Sequence, residues 1–247
     1  MTAGIGKEFM ERTKYKNMEP ADQIRGLPHP PVELDFSIQG STISLPLPAQ
    51  IPDDALTATQ AMYQRKSVRQ YSDKPLTLDE LSYLLWCTQG VKSVEAHLVT
   101  MRTVPSAGAR HAFETYILIN RVEGLQPGLY RFLAVDHELA PVKLSEDISD
   151  LITDACLKQK FVKASAVTFI WTAAMYRMTY RYGQRGYRYV HLDAGHVCQN
   201  LYLSAEVIRS GVCAIAAFDD DKLNGILDID GENQFAVYVA AVGKKVE

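Results

Sequence analysis

Three cations and a hydroxyl stand within five residues in Arg65-Lys66-Ser67-Val68-Arg69. In extended backbone alternate side chains share a face, so Arg65, Ser67 and Arg69 point the same way. Such a triplet can grip a phosphate or a polyol through charge-assisted hydrogen bonds. Taken alone, the stretch favours a plainer reading, a solvated basic turn at the carboxyl end of a helix, where the helix dipole welcomes cations. A second stretch, Pro105-Ser106-Ala107-Gly108-Ala109-Arg110-His111, combines small residues with donors. Small residues let backbone amides approach a flat ligand closely, although read alone the segment is an ordinary turn feeding a strand. In a third, Cys213 to Asp220, Ala216 and Ala217 can set a backbone N–H beside a planar ring, and otherwise the run is a buried strand.

Other chemistry is missing. No GxGxxG follows a strand, and neither GxxxxGK[ST] nor GxSxG occurs. His191 and His196 lie five apart on one helix, which puts them on different faces, unlike the four-residue step of a zinc pair. No metal site is expected. Cys87, Cys156, Cys198 and Cys213 form no CxxC and are expected to be free, mostly buried thiols.

The elements that must position these residues follow from periodicity and caps. A helix is expected from Pro52-Asp53-Asp54 through Leu56 and Met62 into Arg65. Thr77 and Glu80 form a capping box for a second, with Leu78, Leu81, Leu84 and Leu85 on one face and Gly90 at its end. Tyr116 to Ile119 reads as a strand. Gly128 to Leu133 and Glu138 to Leu144 read as a hairpin turning at Asp136-His137. Asp147 to Lys158 is expected to be helical, and Ala164 to Ala173 a buried strand. The strongest helix is Tyr187 to Ser210, where Val190, Ala194, Val197, Leu201, Ala205 and Ile208 step by three or four. Gly195 in its middle costs roughly 1 kcal/mol against alanine, and a close helix crossing at a subunit interface would explain it. Cys213 to Phe218 (strand), Asp220 to Leu227 (helix) and Phe235 to Val242 (strand) complete the chain. Without a steady β-α-β rhythm, an α+β fold is favoured.

Residues 1–52 differ. Seven of the eleven prolines fall there, and the segment reads as an extended, Pro-rich arm ahead of a domain at 53–247. Two fates are open for it, docking on the body or a partner subunit, or a loosely ordered tail. The 247 residues are 47% apolar and 22% charged with a net charge of −3. That composition argues against disorder and against a nucleic-acid binder. The apolar runs are too short for a bilayer, and the first residues lack the apolar core of a secretory signal. A cytoplasmic location is expected.

In their order along the chain, RKSVRQY at 65–71, PSAGARH at 105–111, GLYR at 128–131, YRYVHLDAGHVCQN at 187–200, CAIAAFDD at 213–220 and VAAVGKK at 239–245 resemble the nitroreductase-like superfamily of FMN-dependent oxidoreductases. PSAGARH, GLYR and RGYRY…DAGH look most like its azoline dehydrogenase-like branch, which oxidises thiazolines and oxazolines in peptides. The resemblance implies a mainly antiparallel central sheet flanked by helices, with the long helix at a homodimer interface holding two FMN sites. Arg65, Lys66, Ser67 and Arg69 match the family's phosphate and ribityl contacts. Pro105, Ser106, Ala107 and Gly108 match the loop reaching the flavin from the other subunit. Ala216 and Ala217 match the backbone beside the ring edge and N5, and Lys244 and Lys245 stand where a further phosphate cation is often supplied. The implied activity is NAD(P)H-driven reduction of nitro-aromatic or quinone-like acceptors. The alternatives are an azoline-type peptide dehydrogenase and a flavin-binding protein without turnover.

One departure bears on that choice. Azoline-oxidising relatives carry a Lys-Tyr pair ahead of the long helix as base, where this chain has Arg181-Tyr182. Arginine stays protonated and is a poor base, and Tyr182 remains able to donate a hydrogen bond to substrate. The Tyr- and Arg-rich run from Tyr176 to Tyr189 reads either as a lid over an aromatic or anionic acceptor or as a polar surface loop.

Overall fold

The computed structural model describes residues 4–37, 40–47, 56–96 and 98–246. The arm is not irregular throughout: it opens with helix α1 (Ile5–Arg12) and later adds a two-residue strand, β1 (Ile43–Ser44). The expected helix start at 52–54, and with it the arm–domain boundary, lies outside the described residues. Helix α2 (Ala58–Gln64) is started instead by Thr57, whose hydroxyl accepts from the Gln60 N–H while the Gln60 side chain accepts from the Thr57 N–H. Helix α3 (Leu78–Gln89) carries the expected Thr77–Glu80 box and ends at Gly90.

A hairpin not read from the sequence follows, β2 (Val91–Glu95) with β3 (Val99–Arg102). Its outward side chains leave little alternation to detect. Strands β4 (Phe113–Ile119), β5 (Gly128–Leu133) and β6 (Glu138–Lys143) form a meander. Helices α4 (Ile148–Ala155) and α5 (Phe161–Ala164) lead to β7 (Val167–Ala174). The run from Met175 to Tyr182 is helix α6, followed by one 3-10 turn, so the loop reading of Tyr176 to Tyr189 is corrected. Buried Met175, Met178 and Tyr180 hold α6 on the body; its arginines had disguised that face as surface. Helix α7 (Gly186–Val207), strand β8 (Ser210–Ile215), helix α8 (Asp220–Leu227) and strand β9 (Gln234–Lys244) complete the fold. Strand β8 ends at Ile215, three residues earlier than expected.

Seven strands make one antiparallel sheet in the order β1-β6-β5-β4-β7-β9-β8. Strands β4 and β7 are buried at every position, because helices cover both faces. Ile117, Phe169 and Trp171 pack with α3 and α7 on one side. Tyr116, Leu118 and Ile170 pack with α4 and α8 on the other. The α+β expectation therefore holds. Cys156, Cys198 and Cys213 are buried free thiols and Cys87 is half-buried. No helix among the described residues is long and apolar enough to cross a membrane.

The arm lies against the body through buried polar contacts. Glu114, 3% exposed, pairs with Arg131 at 2.9 Å and Arg177 at 2.5 Å and accepts the Leu34 N–H at 2.8 Å. Arg177 donates to the Pro31 carbonyl at 2.7 Å and Arg131 to that of Leu34 at 2.8 Å. His111 sits in the same cluster. Burial, then the charges of Arg102, Arg110 and Arg177, push its pKa down to about 3. The folded chain thus refuses a proton that the unfolded chain accepts near 6.5. This contribution to stability is complete above that pH and is lost as pH falls toward the folded value. Melting temperature is expected to drop between pH 7 and 5 (about the range spanning the unfolded value), and His111→Gln should flatten that dependence.

Candidate functional site

The basic turn is fixed to the edge of the sheet by two glycines. A Cβ on Gly211 would lie 2.6 Å from the Val68 side chain, and one on Gly243 would lie 2.8 Å from the Tyr71 ring. Bare backbone at these places lets the turn sit down on β8 and β9. The Val68 N–H donates to the Val212 carbonyl at 2.9 Å and the Ser72 N–H to that of Lys244 at 2.9 Å. The Tyr71 hydroxyl, its pKa raised by burial, lies 2.7 Å from the Val68 carbonyl oxygen and 3.1 Å from that of Ala241.

With Val68 turned inward, Lys66, Ser67 and Arg69 are exposed and Arg65 is half-buried. Tyr202 of α7 underlies them. Its hydroxyl is 3.0 Å from Ser67 Oγ and accepts the Ala214 N–H at 3.0 Å. The Arg65 guanidinium sits 5.3 Å from the Tyr202 ring centre. The sequence reading missed Tyr202; its one signal was a polar-tipped aromatic on a helix otherwise stepping in aliphatics.

Among the described residues no carboxylate pairs with Arg65, Lys66 or Arg69. Lys244 and Lys245 also lie beside the turn, with opposite bookkeeping: Lys244 pairs with Glu80 and donates to the Ile208 carbonyl at 2.9 Å, and Lys245 pairs with Glu206. Their charges are neutralised by protein, whereas those of the turn are offered to solvent.

The 105–108 loop is held by α7. Asp193, buried, accepts from Ser106 Oγ at 2.6 Å and from the Ala107 N–H at 3.2 Å. Burial raises its pKa, opposed by those same bonds. Gly108 has φ of +56°, and a Cβ there would come 2.4 Å from the Tyr182 hydroxyl and 3.0 Å from Arg181 Nε. The loop, Arg181 and Tyr182 are therefore brought together. Arg110 and His111, read as further donors, turn inward instead, with Arg110 contacting His29. Ala216 and Ala217 lie beyond the end of β8 with exposed backbone and no side chain past Cβ. The Ala217 carbonyl accepts from Gln159 at 3.0 Å.

One chain does not close these parts around a single ligand. Nine residues separate Asp193 from Tyr202, about 13 Å along the helix and half a turn around it at 100° per residue. The loop and the basic turn thus flank opposite sides of α7. The helix also shows Leu192, 60% exposed, and Gly195, where an added Cβ would meet nothing within 4 Å.

The donor set fits FMN. Two guanidiniums and an ammonium with no carboxylate partner among the described residues suit a phosphate. Hydroxyls at Ser67 and Tyr202 suit a polyol, and the bare backbone at Ala216–Ala217 suits the edge of a flat ring.

Comparison with known proteins bears on the family and the fold. A model described as "Nitroreductase family" matches residues 62–244. A Methanocaldococcus jannaschii protein provisionally named a nitroreductase is 35% identical over 199 residues, 80% of this chain and 96% of that protein. A trifolitoxin-processing protein of Rhizobium leguminosarum is 26% identical over 133 residues, 52% of this chain and 36% of that one. A provisionally named nitroreductase structure from Anabaena variabilis superposes with a TM-score of 0.65 at 29% identity, covering 76% of this chain; the chain spans 38% of that one. A nitroreductase structure from Desulfovibrio desulfuricans, solved in complex with FMN, shares the fold with a TM-score of 0.55 at 14% identity, over 78% of this chain and 88% of that one. With three quarters of its length matched by the family model and its sheet, long helix and basic turn arranged as described, the chain belongs to the nitroreductase family of oxidoreductases.

Proposed function

We propose that this chain is an FMN-dependent oxidoreductase working as a homodimer, taking electrons from NAD(P)H and passing them to nitro-aromatic or quinone-like acceptors. The observation that carries this reading is the set of cations at Arg65, Lys66 and Arg69, without a carboxylate partner among the described residues, beside the Ser67–Tyr202 hydroxyl pair. FMN, when bound, supplies hydride acceptance and donation at N5. The protein's part is positional. Arg65, Lys66 and Arg69 hold the phosphate, and Ser67 orients the polyol. The backbone at Ala216–Ala217 lies at the ring edge, and Pro105 to Gly108 of a second copy close the pocket. The opposite placement of loop and turn on α7 supports a site built from two copies.

Purified protein should be yellow, with FMN as the flavin released on denaturation. Under argon, NADH or NADPH should bleach its visible band, and a quinone should restore it. A colourless protein that FMN cannot reconstitute defeats the proposal. The dimer has its own test. In an isolated chain Gly195→Leu should be neutral or stabilising, since the position is open and glycine is a poor helix former. In the proposed dimer it should shift the chain to monomer on size-exclusion chromatography and lower flavin content with it.

A second reading, an azoline-type peptide dehydrogenase, draws support from the Tyr182 hydroxyl beside Gly108 and from the match to the trifolitoxin-processing protein. Arg181 cannot serve as its base. Flavin reduction by an azoline peptide in the absence of nicotinamide would favour it.

A further inference from the structure

A cavity of about 790 Å³ opens between Asp35–Ser37 of the arm, strand β6 with the turn after it, and the α8–β9 loop. It lies on the face of the sheet opposite α7. Leu129 and Tyr116 pack there with α4 and α8, and Arg131, two residues from Leu129, shares that face. The basic turn and the 105–108 loop both contact α7, so this cavity is separate from the flavin site proposed above.

Two buried polar atoms of residues lining it have no hydrogen-bond partner, Arg131 Nε and Ser145 Oγ. Buried polar groups are nearly always satisfied, and leaving one unmade is costly. Arg131 is 2% exposed. Its Nη2 is used by Glu114 and the Leu34 carbonyl, and the Phe36 ring covers the guanidinium at 4.9 Å, which leaves Nε unserved.

Charge selects the ligand. Arg131, at the cavity, shares Glu114 with Arg177, and Arg102 is buried within reach of the same charges, so three buried arginines stand against Glu114 and Glu33. The interior therefore carries a positive excess that an anion relieves. The remaining charged residues around the cavity, Asp35, Asp228 and Lys143, are exposed at its rim. Part of its wall is apolar, with Pro141, Val142, Leu227 and Ile229 in it. Leu129 pairs with Lys143, so Ser145 lies about 13 Å along the strands from the level of Arg131. An occupant that serves both ends must be long.

We propose that this cavity binds an elongated aromatic carboxylate, its acid group at Arg131 Nε and a distal polar group at Ser145 Oγ, with the ring between Phe36 and the α8–β9 loop. The probe is 6-hydroxy-2-naphthoate, titrated by calorimetry into the full chain supplemented with saturating FMN. One probe per chain is expected. Ser145→Ala should weaken it about three- to tenfold. Ile229→Trp, which fills the cavity, should abolish binding while flavin content stays unchanged. Arg131→Lys keeps the charge but removes Nε and should also weaken the probe. If that variant fails to fold, the Ser145 and Ile229 variants still decide. Absence of saturable binding at millimolar probe overturns the proposal. So does affinity unaltered by both Ser145→Ala and Ile229→Trp, or release of bound FMN as the probe is added.

Discussion

Arg65→Ala and Arg69→Ala should each weaken FMN binding by about 1.5–3 kcal/mol, roughly ten- to 150-fold in Kd, while leaving the dimer intact. Each substitution removes one charge-assisted donor set from a turn whose cations have no carboxylate partner among the described residues. Nothing in the fold depends on those charges. Val68 and Tyr71, which hold the turn on Gly211 and Gly243, are untouched. Flavin absorbance after gel filtration, followed by titration of the stripped protein with FMN, measures the loss. Lys244→Met makes the informative contrast. Its ammonium is occupied by Glu80, so it should cost stability and change flavin affinity less than either arginine variant. Undiminished flavin occupancy in both arginine variants would remove the phosphate site from this turn.

Glu114→Gln should cost about 3–5 kcal/mol of stability, a large part of what a domain of this size possesses. The carboxylate is buried with two arginines and the Leu34 N–H directed at it. Removing its charge strands both guanidiniums in the interior and frees the arm at one of its anchors. Urea unfolding should show the midpoint fall, and limited proteolysis should cut the arm before the body. Burial acts to raise the Glu114 pKa, but Arg177, Arg131 and the Leu34 N–H overcome it and hold the group below its ordinary value of 4.5. Its stabilisation is thus present above that pH and is lost as pH falls through the lower folded value. Acid unfolding of the natural chain should be steep below about pH 4.5, and Glu114→Gln should remove much of that steepness.

Much of the scaffold was legible because its signals are local. The Thr77–Glu80 box spans three residues, the period of α7 repeats every three or four, and the β5–β6 hairpin turns within a few residues. Misreadings arose where tertiary packing overrode composition. Helix α6 was hidden because Arg177, a charged residue by type, is buried on Glu114 and the Pro31 carbonyl. Leu56, expected within helix α2, stands before it because the cap is the less conspicuous Thr57–Gln60 pair. Strand β8 was drawn too long because Ala216 and Ala217 are as compatible with a strand as with the exposed backbone they form.

By itself the sequence determined which chemical groups are present and the order in which they come: a cluster of cations after a helix, a loop of small residues, and a long amphipathic helix with a glycine in it. Only the tertiary structure decided which cations are free. Arg65, Lys66 and Arg69 have no carboxylate partner among the described residues, while Glu80 and Glu206, 164 and 39 positions from their lysines, neutralise Lys244 and Lys245. It also decided that the loop and the turn flank opposite sides of α7. Ion pairing and facing depend on distance through space, and spacing along the chain does not fix that distance beyond a single element.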